Sequence, residues 1–242
     1  FWGVRGSIGT AGPRFAGVGG HTSCVEVCAG GARFVLDAGT GLRGLGERML
    51  QAGAADATVL LTHYHWDHIQ GFPFFGPAYV PGARLRIVGP DPGGDGRGVR
   101  AALAGQMARP FFPVGLDVLR AELAFAGLHP GGSRELGDVR VTTAPAAHPG
   151  GALAYRIEHA GHAVVLATDT EHEPGAAEVD RNLLALAAGA DVLIYDAQYT
   201  PEEHAQKRGW GHSTAEEGVR LANAAGVGRL VLFHHDPGHD DA

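Results

Sequence analysis

The chain has 242 residues, long enough for one well-buried core, and its 45% hydrophobic and 19% charged content is that of a globular protein. A formal net charge of -7 with no run of lysine or arginine argues against long nucleic acid as a bulk electrostatic partner. No apolar run approaches the length of a bilayer span, so a membrane partner is not expected. The chain opens on Phe1, which leaves a removed targeting segment open.

Phe1-Trp2-Gly3-Val4 reads as a strand end, and the glycine-rich stretch from Arg5 to Gly20 as a loop. His21-Thr22-Ser23 leads into a strand at Cys24–Cys28, which turns at Gly30-Gly31 and returns through Arg33–Asp37 as a hairpin. Cys24 and Cys28 would lie about 13 Å apart on one extended strand, too far for a disulfide, and read as small packing residues in a reducing cytoplasm. Asp37-Ala38-Gly39-Thr40-Gly41 precedes a helical segment, Leu42–Gln51. It lacks both the phosphate-loop lysine and the full G-x-G-x-x-G spacing, so a nucleotide loop is rejected.

The apolar run Thr58–Leu61 then delivers His63-Tyr64-His65-Trp66-Asp67-His68. Imidazole and carboxylate oxygen are ligands that zinc, manganese and iron(II) accept. A strand continuing through His63 and His65 would put both rings on one side, to share one metal. Asp67 and His68, past the strand where the chain must turn, would face a second. Beyond this loop come an aromatic stretch at Phe72–Tyr79, a strand at Leu85–Pro90, a flexible glycine-rich turn at Asp91–Gly98 and a helix at Val99–Ala108. Strands follow at Leu119–Phe125 and Val139–Thr143. A second hairpin, Ala154–Glu158 with Ala163–Ala167, folds around Ala160-Gly161. A helix at Asn182–Ala188, a buried strand at Asp191–Tyr195, a helix at Thr214–Ala225 capped by Ser213 and a strand at Arg229–Phe233 complete the chain. Strand clusters with helices in both halves predict an α/β fold, an αββα sandwich of two mixed sheets, as a single domain over 1–242. A polar, metal-competent residue recurs where an apolar strand ends, at His63, His148, Asp169 and His234.

The pattern H-x-H-x-D-H, followed by Ile69-Gln70-Gly71, resembles the signature of the metallo-β-lactamase fold, and the likeness runs from Gly3-Val4-Arg5-Gly6-Ser7 to Phe233-His234-His235-Asp236-Pro237. Within it the chain is most similar to the phosphodiesterase-like branch that includes RNase Z and the cyclic phosphodiesterase of phosphonate breakdown. The resemblance implies that His63, His65 and His148 hold one metal, Asp67, His68 and His234 the other, and that Asp169 bridges them. His235 competes with His234, which is preferred because it directly follows Leu232-Phe233. Asp37 would steady a ligating histidine, and His21 stands as either a substrate contact or a polar loop residue. His212, in Gly211-His212-Ser213-Thr214, matches a histidine that reaches the leaving-group oxygen, with Asp196 as its acidic partner; a carboxylate beside an imidazole prepares a general acid. The other histidines, His129, His159, His162, His172, His204 and His239, read as surface residues.

These assignments imply a hydrolase with two divalent metals, zinc first and manganese or iron(II) as alternatives, in which a hydroxide bridging the metals attacks phosphorus and Asp67, His212 and Asp196 assist. Two divalent ions set against Asp67, Asp169 and one hydroxide leave the site about one charge positive, which suits a small anionic substrate. The expected activity is hydrolysis of a small phosphodiester, cyclic or nucleotide-derived. The insertion ending at Arg109–Pro113 is too short and too uncharged to resemble the basic arm with which RNase Z grips transfer RNA. Hydrolysis of a thioester, lactone or β-lactam is the alternative. A non-hydrolytic diiron sensor or redox module is less favoured, because such relatives replace the second histidine of the loop with glutamate and this chain has His65. Oligomeric state stays open, with a homo-oligomer compatible.

Overall fold

Gly30 and Gly31, at φ 57° and 71°, form the two-residue left-handed turn that matches the twist of antiparallel strands, and pair β1 (Val25–Ala29) with β2 (Ala32–Leu36). β3 (Ala57–Leu60), β4 (Arg84–Pro90) and β5 (Glu122–Leu128) add to β2 in parallel, giving a mixed five-stranded sheet in the order β1-β2-β3-β4-β5. Parallel neighbours need crossovers, and these carry α1 (Gly41–Gln51), α2 (Trp66–Ile69) and α3 (Arg97–Gln106). Leu42, Leu45 and Met49 of α1 and Val99 and Leu103 of α3 bury themselves with Val35, Val59, Ile87, Phe72 and Phe75 in one core.

The computed structural model describes residues 1–173 and 175–241, which form two units: Phe1–Leu128 with Asp240 and Asp241, and His129–His239. The second unit holds a mixed six-stranded sheet in the order β11-β10-β9-β8-β7-β6. β6 (Ser133–Leu136), β7 (Val139–Ala146), β8 (Ala152–His159) and β9 (His162–Ala167) run as an antiparallel meander. β10 (Val192–Asp196) and β11 (Arg229–Phe233) continue from β9 in parallel. α4 (Arg181–Ala187), α5 (Pro201–Gln206) and α6 (Ala215–Ala225) lie on the crossovers. Leu183 and Leu186 of α4 and Leu221 of α6 pack with Val165, Leu193 and Tyr195. Two mixed sheets flanked by helices make the expected α/β fold. No helix among the described residues is long and apolar enough to cross a membrane.

Several boundaries differ from the sequence reading. β3 stops at Leu60 because the Thr62 N–H turns aside to the Asp37 carboxylate at 2.8 Å, so His63 and His65 lie in a loop and not on a strand. β5 begins at Glu122, since the residues before it close a short 3-10 turn over Leu116–Val118. β6 was not foreseen. β7 runs on through Pro145: the Thr143 N–H points to Gly132, so the proline nitrogen two residues later faces the side where β6 has ended. Asp91 orders the predicted flexible turn by accepting from the N–H groups of Gly93 (3.1 Å) and Gly98 (3.2 Å). α6 is capped by Thr214 rather than Ser213, whose hydroxyl is engaged by Tyr195 and His172. Cys24 is buried as expected, but Cys28 is exposed.

Candidate metal centre

In the first unit the ligand loop hangs on Asp37. This residue is fully buried, follows the end of β2 directly and holds φ 61°. Its Oδ1 accepts from the Thr62 N–H (2.8 Å) and hydroxyl (3.0 Å), and its Oδ2 from the Ser23 hydroxyl (2.9 Å) and His68 Nδ1 (2.7 Å). A carboxylate acceptor fixes the His68 proton on Nδ1 and leaves Nε2 with its lone pair. That nitrogen stands 3.2 Å from Asp67 Oδ2, which also accepts the Ser7 N–H at 2.8 Å. His63 lies between its neighbours, ring centroid 4.5 Å from His65 and 4.3 Å from His68. The backbone is drawn close here: a Cβ on Gly39 would come 2.4 Å from the Asp67 carbonyl oxygen. His65 is exposed and Trp66 is 75% exposed. His21 is exposed and bonds to Thr40 Oγ1.

The second unit gathers His148, Asp169, Asp196, His212 and His234 at the ends of its strands. His148 Nδ1 donates to the Gly211 carbonyl at 2.9 Å, leaving Nε2 3.8 Å from Asp169 Oδ1. His234 Nδ1 is 2.8 Å from Gln198 Oε1, leaving Nε2 3.3 Å from Asp169 Oδ2. Asp169 and His234 hold φ 53° and 60° just past β9 and β11. His212 Nδ1 lies 3.0 Å from Asp196 Oδ2. The Asp196 carboxylate is further held by the N–H groups of Asp169 (2.8 Å), Gln198 (3.1 Å) and Ser213 (3.1 Å). The His212 ring stacks on His234 with centroids 4.9 Å apart. Donor atoms of His148, Asp169 and His212 all lie within 4.8 Å of one another, as do those of Asp196, His212 and His234. His234 is fully buried, whereas His235 is half-buried.

The donor chemistry fits divalent metal. In His68, His148 and His234 one ring nitrogen is committed to a protein oxygen and the other is presented to a carboxylate. Lone pairs facing one another repel unless a cation stands between them. Tetrahedral ligands at about 2.0–2.1 Å from one ion sit roughly 3.3 Å apart, and the separations of 3.2 Å and 3.3 Å are of that kind.

Three contributors escaped the sequence reading. Gln198 and the Gly211 carbonyl orient His234 and His148, and Glu171 braces the turn that precedes His212. Its carboxylate accepts the N–H groups of Gly209 and Gly211, each at 2.8 Å, and its own N–H donates to the Ala147 carbonyl at 2.8 Å. A polar residue two or three positions past a strand-end ligand is the one signal that could have flagged Gln198 and Glu171. The reading of His204 as a surface residue is corrected: it is 2% exposed and stacks on His172, centroids 4.4 Å apart at 15°. Burial, reinforced by His204, pushes the His172 imidazole down to about 4.

Residues 32–235 match the family model described as a beta-lactamase superfamily domain. Ribonuclease Z of Mycobacterium sp. (strain KMS) is 33% identical over 238 residues, covering 87% of this chain and 76% of the relative. Among solved structures, the metallo-beta-lactamase fold protein YhfI from Bacillus subtilis aligns with a TM-score of 0.71 at 21% identity, over 99% of this chain and 85% of the other. A diphosphatase from the PhnP family aligns with a TM-score of 0.69 at 19% identity, over 99% and 87%. The chain therefore belongs to the metallo-β-lactamase superfamily, in the branch that resembles ribonuclease Z, and is a metal-dependent hydrolase.

Proposed function

We propose that the chain is a phosphodiesterase of two metals, zinc first among them, acting on a small anionic phosphodiester, cyclic or nucleotide-derived, as a single hydrolase domain over 1–242. His63, His65 and His148 would hold one ion, Asp67, His68 and His234 the other, and Asp169 both. One family model spanning 32–235 includes both sets of ligands, which supports treating them as one centre. Bound divalent ions would supply Lewis acidity and a nucleophilic water at neutral pH.

The observation that carries the phosphodiester reading is the buried pair His212 and Asp196. Asp196 is immobilised by three backbone N–H groups, so it fixes the His212 ring through Nδ1 and keeps Nε2 for a proton transfer. A phosphodiester that expels an alkoxide needs that proton as its P–O bond breaks, whereas a thioester, whose thiolate leaves unaided, does not. Asp67, anchored by the Ser7 N–H, would orient the attacking water in line. The relatives named ribonuclease Z and the PhnP-family diphosphatase act, by their names, on phosphate-ester or phosphoanhydride bonds, in keeping with this choice. Hydrolysis of bis(p-nitrophenyl) phosphate by metal-loaded protein, with Asp67→Ala as the blank, tests it. Turnover that disappears in the blank is expected; turnover no higher than the blank removes the phosphodiester reading.

A further inference from the structure

The turn that leads into His212 is built to hold an aromatic side chain in solvent. Trp210 is 62% exposed, in a chain whose large apolar side chains are mostly buried. Exposure of an indole on a loose loop is unremarkable, since the ring can fold back onto the surface. This turn is not loose. Glu171 clamps the amides on both sides of Trp210, accepting from Gly209 N at 2.8 Å and Gly211 N at 2.8 Å. Trp210 N–H itself closes onto the Lys207 carbonyl at 3.2 Å. Gly209 and Gly211 hold φ 82° and 87°, and a Cβ on Gly211 would lie 2.1 Å from His148 Nδ1. The backbone that carries the indole is thus pressed against one candidate ligand and leads, two residues on, to the candidate proton donor.

The same turn holds cations. Lys207 Nζ sits 4.4 Å from the Tyr199 ring centroid and 3.4 Å from Asp236 Oδ2, and Arg208 is exposed. Lys207 is already paired with Asp236, which leaves the exposed Arg208, two residues before the indole, as the cation of this turn. Stacking on a fixed aromatic ring suits any planar π-face and is worth about tenfold or more in affinity for a nucleobase.

We infer that Trp210 is a specificity-determining residue, on which the planar aromatic group of a phosphate-bearing substrate stacks. The inference rests on the phosphodiesterase reading for the phosphate and adds that the esterified group is aromatic, as a nucleobase is. It is tested by calorimetric titration of the metal-loaded protein with AMP and with ribose 5-phosphate, which share sugar and phosphate and differ in the base. The wild type is expected to bind AMP about tenfold more tightly. Trp210→Ala should erase that preference while moving the ribose 5-phosphate affinity less than about twofold, and Trp210→Phe should keep most of it. No preference for AMP in the wild type, a preference that survives in Trp210→Ala, or no binding of AMP at all overturns the inference. Turnover of bis(p-nitrophenyl) phosphate by the same preparation keeps the two readings apart. Turnover without an AMP preference sinks only the stacking residue, and a Trp210-dependent preference without turnover sinks only the phosphodiesterase.

Discussion

Replacing Asp37 by asparagine changes one oxygen into an NH2 group at the point where the ligand loop is tied down. The four donors that converge on the carboxylate are the Thr62 N–H and hydroxyl on Oδ1 and the Ser23 hydroxyl and His68 Nδ1 on Oδ2. The asparagine oxygen can serve the Thr62 backbone N–H, which cannot move, and its NH2 then faces Ser23 and His68. The serine hydroxyl can rotate to accept. His68 can accept only by moving its proton from Nδ1 to Nε2, the nitrogen that stands 3.2 Å from Asp67. The substitution therefore inverts a tautomer and covers the nitrogen meant for a metal. Asparagine tolerates the left-handed backbone at φ 61°, so the chain path should persist. Losing charge-assisted hydrogen bonds should cost the metal-free protein about 2–3 kcal/mol. Metal affinity should fall roughly 10- to 100-fold, the usual effect of removing a carboxylate that orients a ligating histidine. Chelator competition with zinc and denaturation of the metal-free protein read the two quantities separately. Ser23→Ala is the control: it removes one donor to Oδ2 and should cost about 1 kcal/mol of stability with metal affinity little changed. An Asp37→Asn protein that is less stable but binds zinc within twofold of wild type would reduce Asp37 to a structural brace and refute the tautomer argument.

His212→Ala should slow hydrolysis of diesters with alkoxide leaving groups by about 10²- to 10⁴-fold, and p-nitrophenyl esters far less, at unchanged metal content. Equal losses for both would end the proton-donor role, and loss of metal would make His212 a ligand. Gly211→Ala forces a side chain onto a backbone at φ 87° and into His148 Nδ1. It should lower stability by at least about 2 kcal/mol and reduce metal content with it, measured by denaturation and metal analysis; normal metal content in a folded variant would contradict the close packing. His172 gives a pH signature. Its folded value of about 4 lies below the ordinary 6.5, so between those values the unfolded chain binds more protons. Stability is then complete above about pH 6.5 and declines as pH falls toward 4, by about 1–2 kcal/mol once solvent screening of a half-buried ring is allowed for. His172→Gln should flatten that part of the urea-denaturation profile of metal-free protein, and an unchanged slope would remove His172 as its source.

The hexapeptide His63–His68 was legible without any structure, because four metal-competent side chains directly after a buried apolar run have no packing reason to be there. The dispersed candidates His148, Asp169 and His234 could be proposed from strand ends, but their grouping came from resemblance, since distances across a sheet are not written in local sequence. The hairpins at Gly30-Gly31 and Ala160-Gly161 were readable from their turn residues, while the one at Gly137-Asp138 was not. β6 was missed because Ser133–Leu136 is short, polar and held largely by its partner strand. His204 was misjudged because α5 looks polar throughout, and only tertiary packing against His172 shows which side is covered. Glu171 gave only its place two residues past Asp169: an acid in a polar stretch looks like a solvated one until its amide partners 38 and 40 residues away are known.

Asp37, Asp169 and His234 all sit in the left-handed region within two residues of a strand end, and at each a buried side chain holds the strained backbone in place. Aspartate accepts that conformation with modest strain, but for histidine the backbone term is about 1–2 kcal/mol, which glycine would relieve in part. Glycine at 234 would also vacate a fully buried ring that bonds to Gln198 and stacks on His212, a loss of about 2–5 kcal/mol that outweighs the relief, so a library selected only for surviving high temperature should keep histidine there. Heat selection on this scaffold should therefore pass over these strained positions and find its gains where a side chain carries no buried contacts.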